Sequence, residues 1–158
     1  MVKIFTALTL VASTALAFAP THLVVVEGAV LYDEDHNYGD DYIVERLPYW
    51  TPVVAEPVGT PESPRTYCLV TLEDGRRGLT EWDYLGRALT VVAEETTLAG
   101  VPADVPADVT RLKKGAVLAF APTAEAGSRP GFIEVLNEDG LRGWVPEDAV
   151  APAPGVGE

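Results

Sequence analysis

The sequence repeats itself. Glu73-Asp74-Gly75-Arg76-Arg77-Gly78 returns as Glu138-Asp139-Gly140-Leu141-Arg142-Gly143, 65 residues further on. At the same spacing and without a gap, Val26 meets Val91, Arg46-Leu47 meets Arg111-Leu112, Pro57 meets Pro122 and Val70 meets Val135. A fixed period means one structural unit built twice. The 158 residues suffice for two such units. A unit this small buries a modest core and is marginal alone, so each gains by packing on the other.

Short β-branched and apolar runs, separated by turn signals, fill both copies. In the first, Val24 to Glu27, Ala29 to Tyr32, Tyr42 to Leu47 and Val53 to Ala55 read as strands. Asp33 to Asp41 reads as a polar loop, and Pro57 to Pro64, with three prolines and Gly59, as a surface loop. Thr66 to Leu72 and Arg76 to Thr80 form a hairpin, because Asp74-Gly75 supplies the positive backbone angles of a tight turn. Glu81 to Leu85 reads as one helical turn, and Gly86-Arg87 as the joint. In the second copy, strands are expected at Leu89 to Val92, Val109 to Leu112, Ala116 to Ala121, Phe132 to Leu136 and Leu141 to Val145. Gly100 to Asp108 is a loop, Lys113-Lys114-Gly115 a turn, Pro146 to Val150 a second helical turn, and Ala151 to Glu158 a Pro/Gly tail. Helical periodicity is not sustained anywhere beyond the N-terminus. The expected class is all-β, a barrel or a sandwich.

The N-terminus reads as an export signal. Lys3 precedes the uncharged stretch Ile4 to Ala12, and small residues follow at a signal-peptidase spacing. Cleavage fits after Ala17 or after Ala19; the second would leave Pro20 just beyond the cut, so the first is favoured. The apolar stretch is too short for a permanent anchor. The expected location is periplasmic or extracellular, with no transmembrane anchor after cleavage. The expected divisions are a signal peptide at 1–17, units at 20–87 and 88–152, and a mobile tail at 153–158.

Cys68 is the single cysteine, which excludes an intrachain disulfide. It sits in the apolar run Tyr67-Cys68-Leu69-Val70 and reads as a buried small hydrophobe. A thiol nucleophile would need a base, and the chain offers only His22 and His36. Asp and Glu number 24 against 11 Lys and Arg, a formal net charge of −13. Such a field repels nucleic acid and anionic membrane surfaces. A cationic protein partner, a neutral ligand or plain solubility all suit it.

The end of each copy carries a family resemblance. Asp139-Gly140-Leu141-Arg142-Gly143-Trp144-Val145-Pro146-Glu147-Asp148-Ala149-Val150 is an Asp-Gly hairpin, then Gly-aromatic-Val, then a short helical turn closed by an aliphatic residue. The first copy offers Asp74-Gly75-Arg76-Arg77-Gly78-Leu79-Thr80-Glu81-Trp82-Asp83-Tyr84-Leu85. Each copy resembles an SH3-type barrel of the bacterial SH3 (SH3b) kind found in exported proteins. The resemblance implies two tandem SH3-like small β-barrels, each ending in a hairpin and a short helical turn. The first copy also looks like the eukaryotic form: Ala29-Val30-Leu31-Tyr32-Asp33 opens an acidic loop, and Tyr84 stands where that family often has a groove tyrosine. In peptide-binding members such residues line an aromatic groove for proline-rich ligands. The chain departs from that pattern. The groove tryptophan would fall near Thr66 or Tyr67, where there is none, and Glu81 replaces the groove proline. The second copy keeps Pro146 but has Ala149 at the tyrosine position.

Tyr32, Tyr42 and Tyr84 are therefore the candidate ligand-binding residues. Trp82, at a place where the family is usually polar, joins them as a candidate contact. Tyr32, Tyr38, Tyr42, Tyr49 and Trp50 form an aromatic group that suits either a ligand surface or packing between the units. Trp144 reads as structural. Asp33, Asp35, Asn37 and Asp40 or Asp41 offer oxygens to calcium, but Gly39 and Val44 break the EF-hand spacing, and a solvated acidic loop is the simpler reading. Metal-protease, nucleophile-elbow and phosphate-loop motifs are missing from the sequence. Ser63 and Ser128, at matching repeat positions, read as turn formers. The expectation is an exported, non-catalytic binding module without a cofactor, recognising peptidoglycan or a peptide or protein of the cell envelope. The alternative is an acidic adaptor that docks a basic protein and has no small ligand.

Overall fold

A computed structural model describes residues 17–35, 40–60, 63–100, 109–121 and 130–154. The export-signal reading, Ala17 apart, lies outside the described residues. Among the described residues the chain is almost wholly antiparallel β, and its helices are single 3-10 turns at Asp40–Tyr42, Trp82–Tyr84 and Glu147–Ala149. No described helix is long and apolar enough to cross a membrane.

The first copy supplies β1 (His22–Val24), β2 (Ala29–Tyr32), β3 (Ile43–Leu47), β4 (Pro52–Thr60), β5 (Ser63–Leu72) and β6 (Arg77–Glu81). After the turn at Trp82–Tyr84 comes β7 (Leu85–Val91). The second copy supplies β8 (Glu95–Ala99), β9 (Val109–Lys113), β10 (Val117–Phe120), β11 (Phe132–Leu136), β12 (Arg142–Pro146) and β13 (Val150–Pro152). Hydrogen bonding orders the first unit β7-β1-β4-β5-β6-β2-β3 and the second β13-β7-β10-β11-β12-β8-β9. The two orders match place for place. β7 belongs to both: Leu85 to Arg87 pair with β1, while Ala88 to Val91 serve β10 and β13. The joint expected at Gly86-Arg87 is thus an unbroken strand.

The repeat has two registers. From the hairpin onward the spacing is 65: β6 and its 3-10 turn map onto β12 and its turn without slippage. Ahead of the loop it is 67. Val24 faces Leu85 as Val91 faces Val150, and Gly78 abuts Leu31 as Gly143 abuts Leu98. The structural counterpart of Val91 is therefore Val24, not Val26, and the second unit is two residues shorter in its long loop. Two further expectations change. The first strand ends at Val24, because Gly28, at φ 65°, turns the chain just beyond it. Pro57 to Pro64 is not simply a loop: β4 and β5 extend to Thr60 and Ser63, with Pro57 opposite Cys68 and Gly59 opposite Pro64 across a bulge.

Glycine is demanded at two kinds of place. Gly75 (φ 86°) and Gly140 (φ 78°) close the matching hairpins. Gly78 and Gly143 allow a close crossing: a Cβ on Gly78 would lie 2.6 Å from the Tyr32 carbonyl oxygen, and one on Gly143 2.7 Å from that of Ala99. The core of the first unit gathers Val24, Leu31, Leu47, Val53, Cys68 and Val70; that of the second gathers Val91, Leu98, Leu112, Leu118 and Val135. Each such side chain, fully buried, stabilises the fold by roughly 1.5–3 kcal/mol. A third cluster, Leu23, Ala88, Ala119, Leu136 and Ala153, lies where the units meet. Ala153 is buried and its N–H donates to the Ala88 carbonyl at 3.0 Å, so the packed chain reaches into the segment expected to be a mobile tail.

Candidate functional site

The pairing of β5 with β6 sets Tyr67 directly opposite Glu81. β2 lies along the other side of β6, with Tyr32 opposite Leu79. Tyr32 and Tyr67 then meet edge to face, ring centres 6.0 Å apart and planes at 81°. The 3-10 turn after β6 carries Tyr84 back toward the strand it left, where its hydroxyl donates to Glu81 Oε1 at 3.2 Å. Four residues from four elements thus form one half-buried face. Its groups sense one another. The Tyr84 phenol is pushed above its ordinary range by partial burial, then by the Glu81 charge and hydrogen bond, then by Tyr32 and Tyr67. The Tyr67 phenol is raised by partial burial, Glu81 and Tyr32. Tyr67 and Tyr84 therefore stay protonated at neutral pH, and the three tyrosines present hydroxyls and ring surfaces around the Glu81 side chain.

Two of the four expected site residues, Tyr32 and Tyr84, belong to this face. Trp82 does not: its ring lies against His22, centres 5.5 Å apart, and packs on the core of the first unit. Burial, then the Arg87 charge, pushes His22 down to about 4, so it is neutral at pH 7. Tyr42 is 39% exposed and lines a separate shallow depression with Asp33, Asp35 and Asp41. The larger aromatic group divides. Tyr49 stacks on Trp50 at 5.6 Å and donates its hydroxyl to the Asn137 carbonyl at 2.7 Å, tying the first unit to the hairpin of the second. Trp50 is held at φ 69°, a strained conformation for so large a side chain, and packs on the inter-unit cluster. Tyr38, His36 and Asn37 lie outside the described residues.

Tyr67 and Glu81 are the members that sequence reasoning did not select. The available signal was that the resemblance puts a groove tryptophan near Thr66 or Tyr67, and Tyr67 is the aromatic of that pair. In the second unit the matched positions hold Ala99, Phe132, Pro146 and Ala149, with Phe132 opposite Pro146. That unit repeats the scaffold without the phenols or the carboxylate.

The remaining chemistry is inert or shallow. Cys68 is buried, donates to the Thr80 carbonyl at 3.6 Å, and burial pushes its thiol up to about 12, so it holds no thiolate at neutral pH. The calcium reading rested on a loop of which only Asp33 to Asp35, Asp40 and Asp41 are described. There Asp33 Oδ1 accepts the Asp35 N–H at 3.0 Å, a local turn bond. Among the described residues no three His, Cys, Asp or Glu side chains are grouped to hold a metal ion. A cleft of about 700 Å³ runs between the units, lined by Leu23, Trp50 and Pro52 on one side and Leu112, Val117 and Leu118 on the other.

Neither a family model nor a curated protein matches this chain. Among solved structures, that of NlpC2 from Trichomonas vaginalis superposes with a TM-score of 0.33 and 13% identity, over 87% of this chain and 49% of that one. The chain spans about half the length of that protein. A superposition this loose transfers no function.

Proposed function

We propose that the chain is an exported, non-catalytic binding module of two SH3b-like barrels, and that its ligand surface is the Tyr32–Tyr67–Glu81–Tyr84 face of the first. The observation that carries this is the convergence of three tyrosines from β2, β5 and the 3-10 turn onto one accessible face. Rigid aromatic rings with polar tips suit recognition of an extended peptide, because they offer contact area at a small entropy cost. The hairpin and the shared β7 hold that face on a scaffold that need not move to bind. In the cell envelope the fitting ligand is the peptide stem of peptidoglycan.

Co-sedimentation of the purified protein with peptidoglycan sacculi, at low and moderate salt, tests the proposal. Pelleting that survives moderate salt and is lost in a Tyr32→Ala, Tyr84→Ala variant is the expected result. Salt-sensitive pelleting indifferent to both tyrosines would overturn it in favour of an acidic adaptor, since long-range attraction is screened by salt.

A further inference from the structure

Glu81 is the unusual member of the tyrosine face. A carboxylate at the centre of an aromatic surface makes that surface selective. A ligand that covered Glu81 with apolar groups would strip water from its carboxylate and return nothing, which disfavours binding. A ligand that brings a positive charge meets two attractions at once. The carboxylate can accept a charge-assisted hydrogen bond. The ring surfaces of Tyr32, Tyr67 and Tyr84 add the quadrupole attraction that aromatic faces exert on a cation. The second unit provides the contrast: there Pro146 takes the place of Glu81, opposite Phe132.

We propose that the Tyr32–Tyr67–Glu81–Tyr84 face takes an alkylammonium group, and so selects peptides that present a lysine-type side-chain amine. This deepens the binding-module reading and rests on it. The acidic balance of the whole chain draws such a ligand in, and Glu81 fixes where its charge comes to rest. The free amine of a diamino acid in a peptide stem has this chemistry, and acylating that amine would remove it.

The test compares two peptides on the full chain: acetyl-Pro-Pro-Lys-Pro-Pro-amide, and the same peptide with its lysine acetylated. Binding is followed by the ring resonances of Tyr32, Tyr67 and Tyr84. The lysine peptide is expected to bind at least tenfold more tightly than the acetylated one, and Glu81→Gln to erase the difference. Glu81→Pro, which installs the second unit's residue at a backbone position that already accepts it there, is a second variant expected to do the same. Equal binding of both peptides at the three tyrosines would overturn the amine proposal and leave the peptide-binding reading standing. Failure of the lysine peptide to move any of the three rings at millimolar concentration also overturns it. Sacculus pelleting, scored separately in the Tyr32→Ala, Tyr84→Ala variant, then decides the parent reading.

Discussion

At four matched places the first unit carries Tyr32, Tyr67, Glu81 and Tyr84, and the second carries Ala99, Phe132, Pro146 and Ala149. At several places that face inward the two agree: Leu31 with Leu98, Leu47 with Leu112, Val70 with Val135. Core positions are held by packing, which punishes any change of volume. Outward positions are held only by what they touch outside the fold. The second unit therefore shows what the scaffold requires, and the differences in the first show what has been added to it. Through the shared β7 the second unit also supports one side of the first.

The largest effect tests the scaffold equivalence. Gly78→Ala and Gly143→Ala each drive a Cβ into a backbone carbonyl at under 3 Å. Each is expected to cost about 1–3 kcal/mol in urea unfolding. A harmless Gly143→Ala beside a damaging Gly78→Ala would break the equivalence. Gly86→Ala, whose Cβ would lie 2.6 Å from the Phe120 carbonyl oxygen of the other unit, is expected to loosen the contact between units and split one unfolding transition into two.

The next effect sharpens the functional difference. Tyr67→Ala is expected to weaken sacculus binding tenfold or more, about 1.4 kcal/mol. Phe132→Ala, at the matched place, is expected to leave binding unchanged.

Two smaller predictions concern core positions that the units fill differently. Cys68 stands where the second unit has Ile133. Its thiol, pushed up to about 12 by burial, is expected to resist thiol reagents until the chain unfolds, and Cys68→Val to cost less than about 1.5 kcal/mol. Labelling of the native protein at the rate of a free thiol would contradict this. His22 stands where the second unit has Leu89. Its pKa falls from 6.5 unfolded to about 4 folded, so the unfolded chain binds the extra proton between those values. The stability that neutral His22 supplies is present above about pH 6.5 and is lost as pH falls toward 4. Melting temperature is expected to drop less between pH 7 and 5 in His22→Leu than in the natural sequence.

What was legible in the sequence was local. The hairpins follow from Asp74-Gly75 and Asp139-Gly140, and the helical turns from the residues just after them. The extended pairing of Pro57 and Pro64 was hidden, because proline reads as a breaker although its fixed φ also fits the ends of an extended ribbon. The change of register was hidden because valines are frequent enough for Val26 to stand in for Val24. In the site, Tyr32 and Tyr84 could be chosen from motif position. Tyr67 and Glu81 meet only through the register of β5 on β6, which no local pattern encodes. Trp82 and Tyr84 are two residues apart in a 3-10 turn, which sends them to different sides: Trp82 to His22, Tyr84 to Glu81.

In the proposed reading, one of two equivalent units carries the binding surface. An amide-shift map of the full chain, titrated with soluble peptide-bearing peptidoglycan fragments, tests it most directly. Shifts are expected to centre on Tyr32, Tyr67, Glu81 and Tyr84, with Ala99, Phe132 and Ala149 unmoved. Shifts centred on the second unit, shared equally between the two, or missing from both, would contradict it.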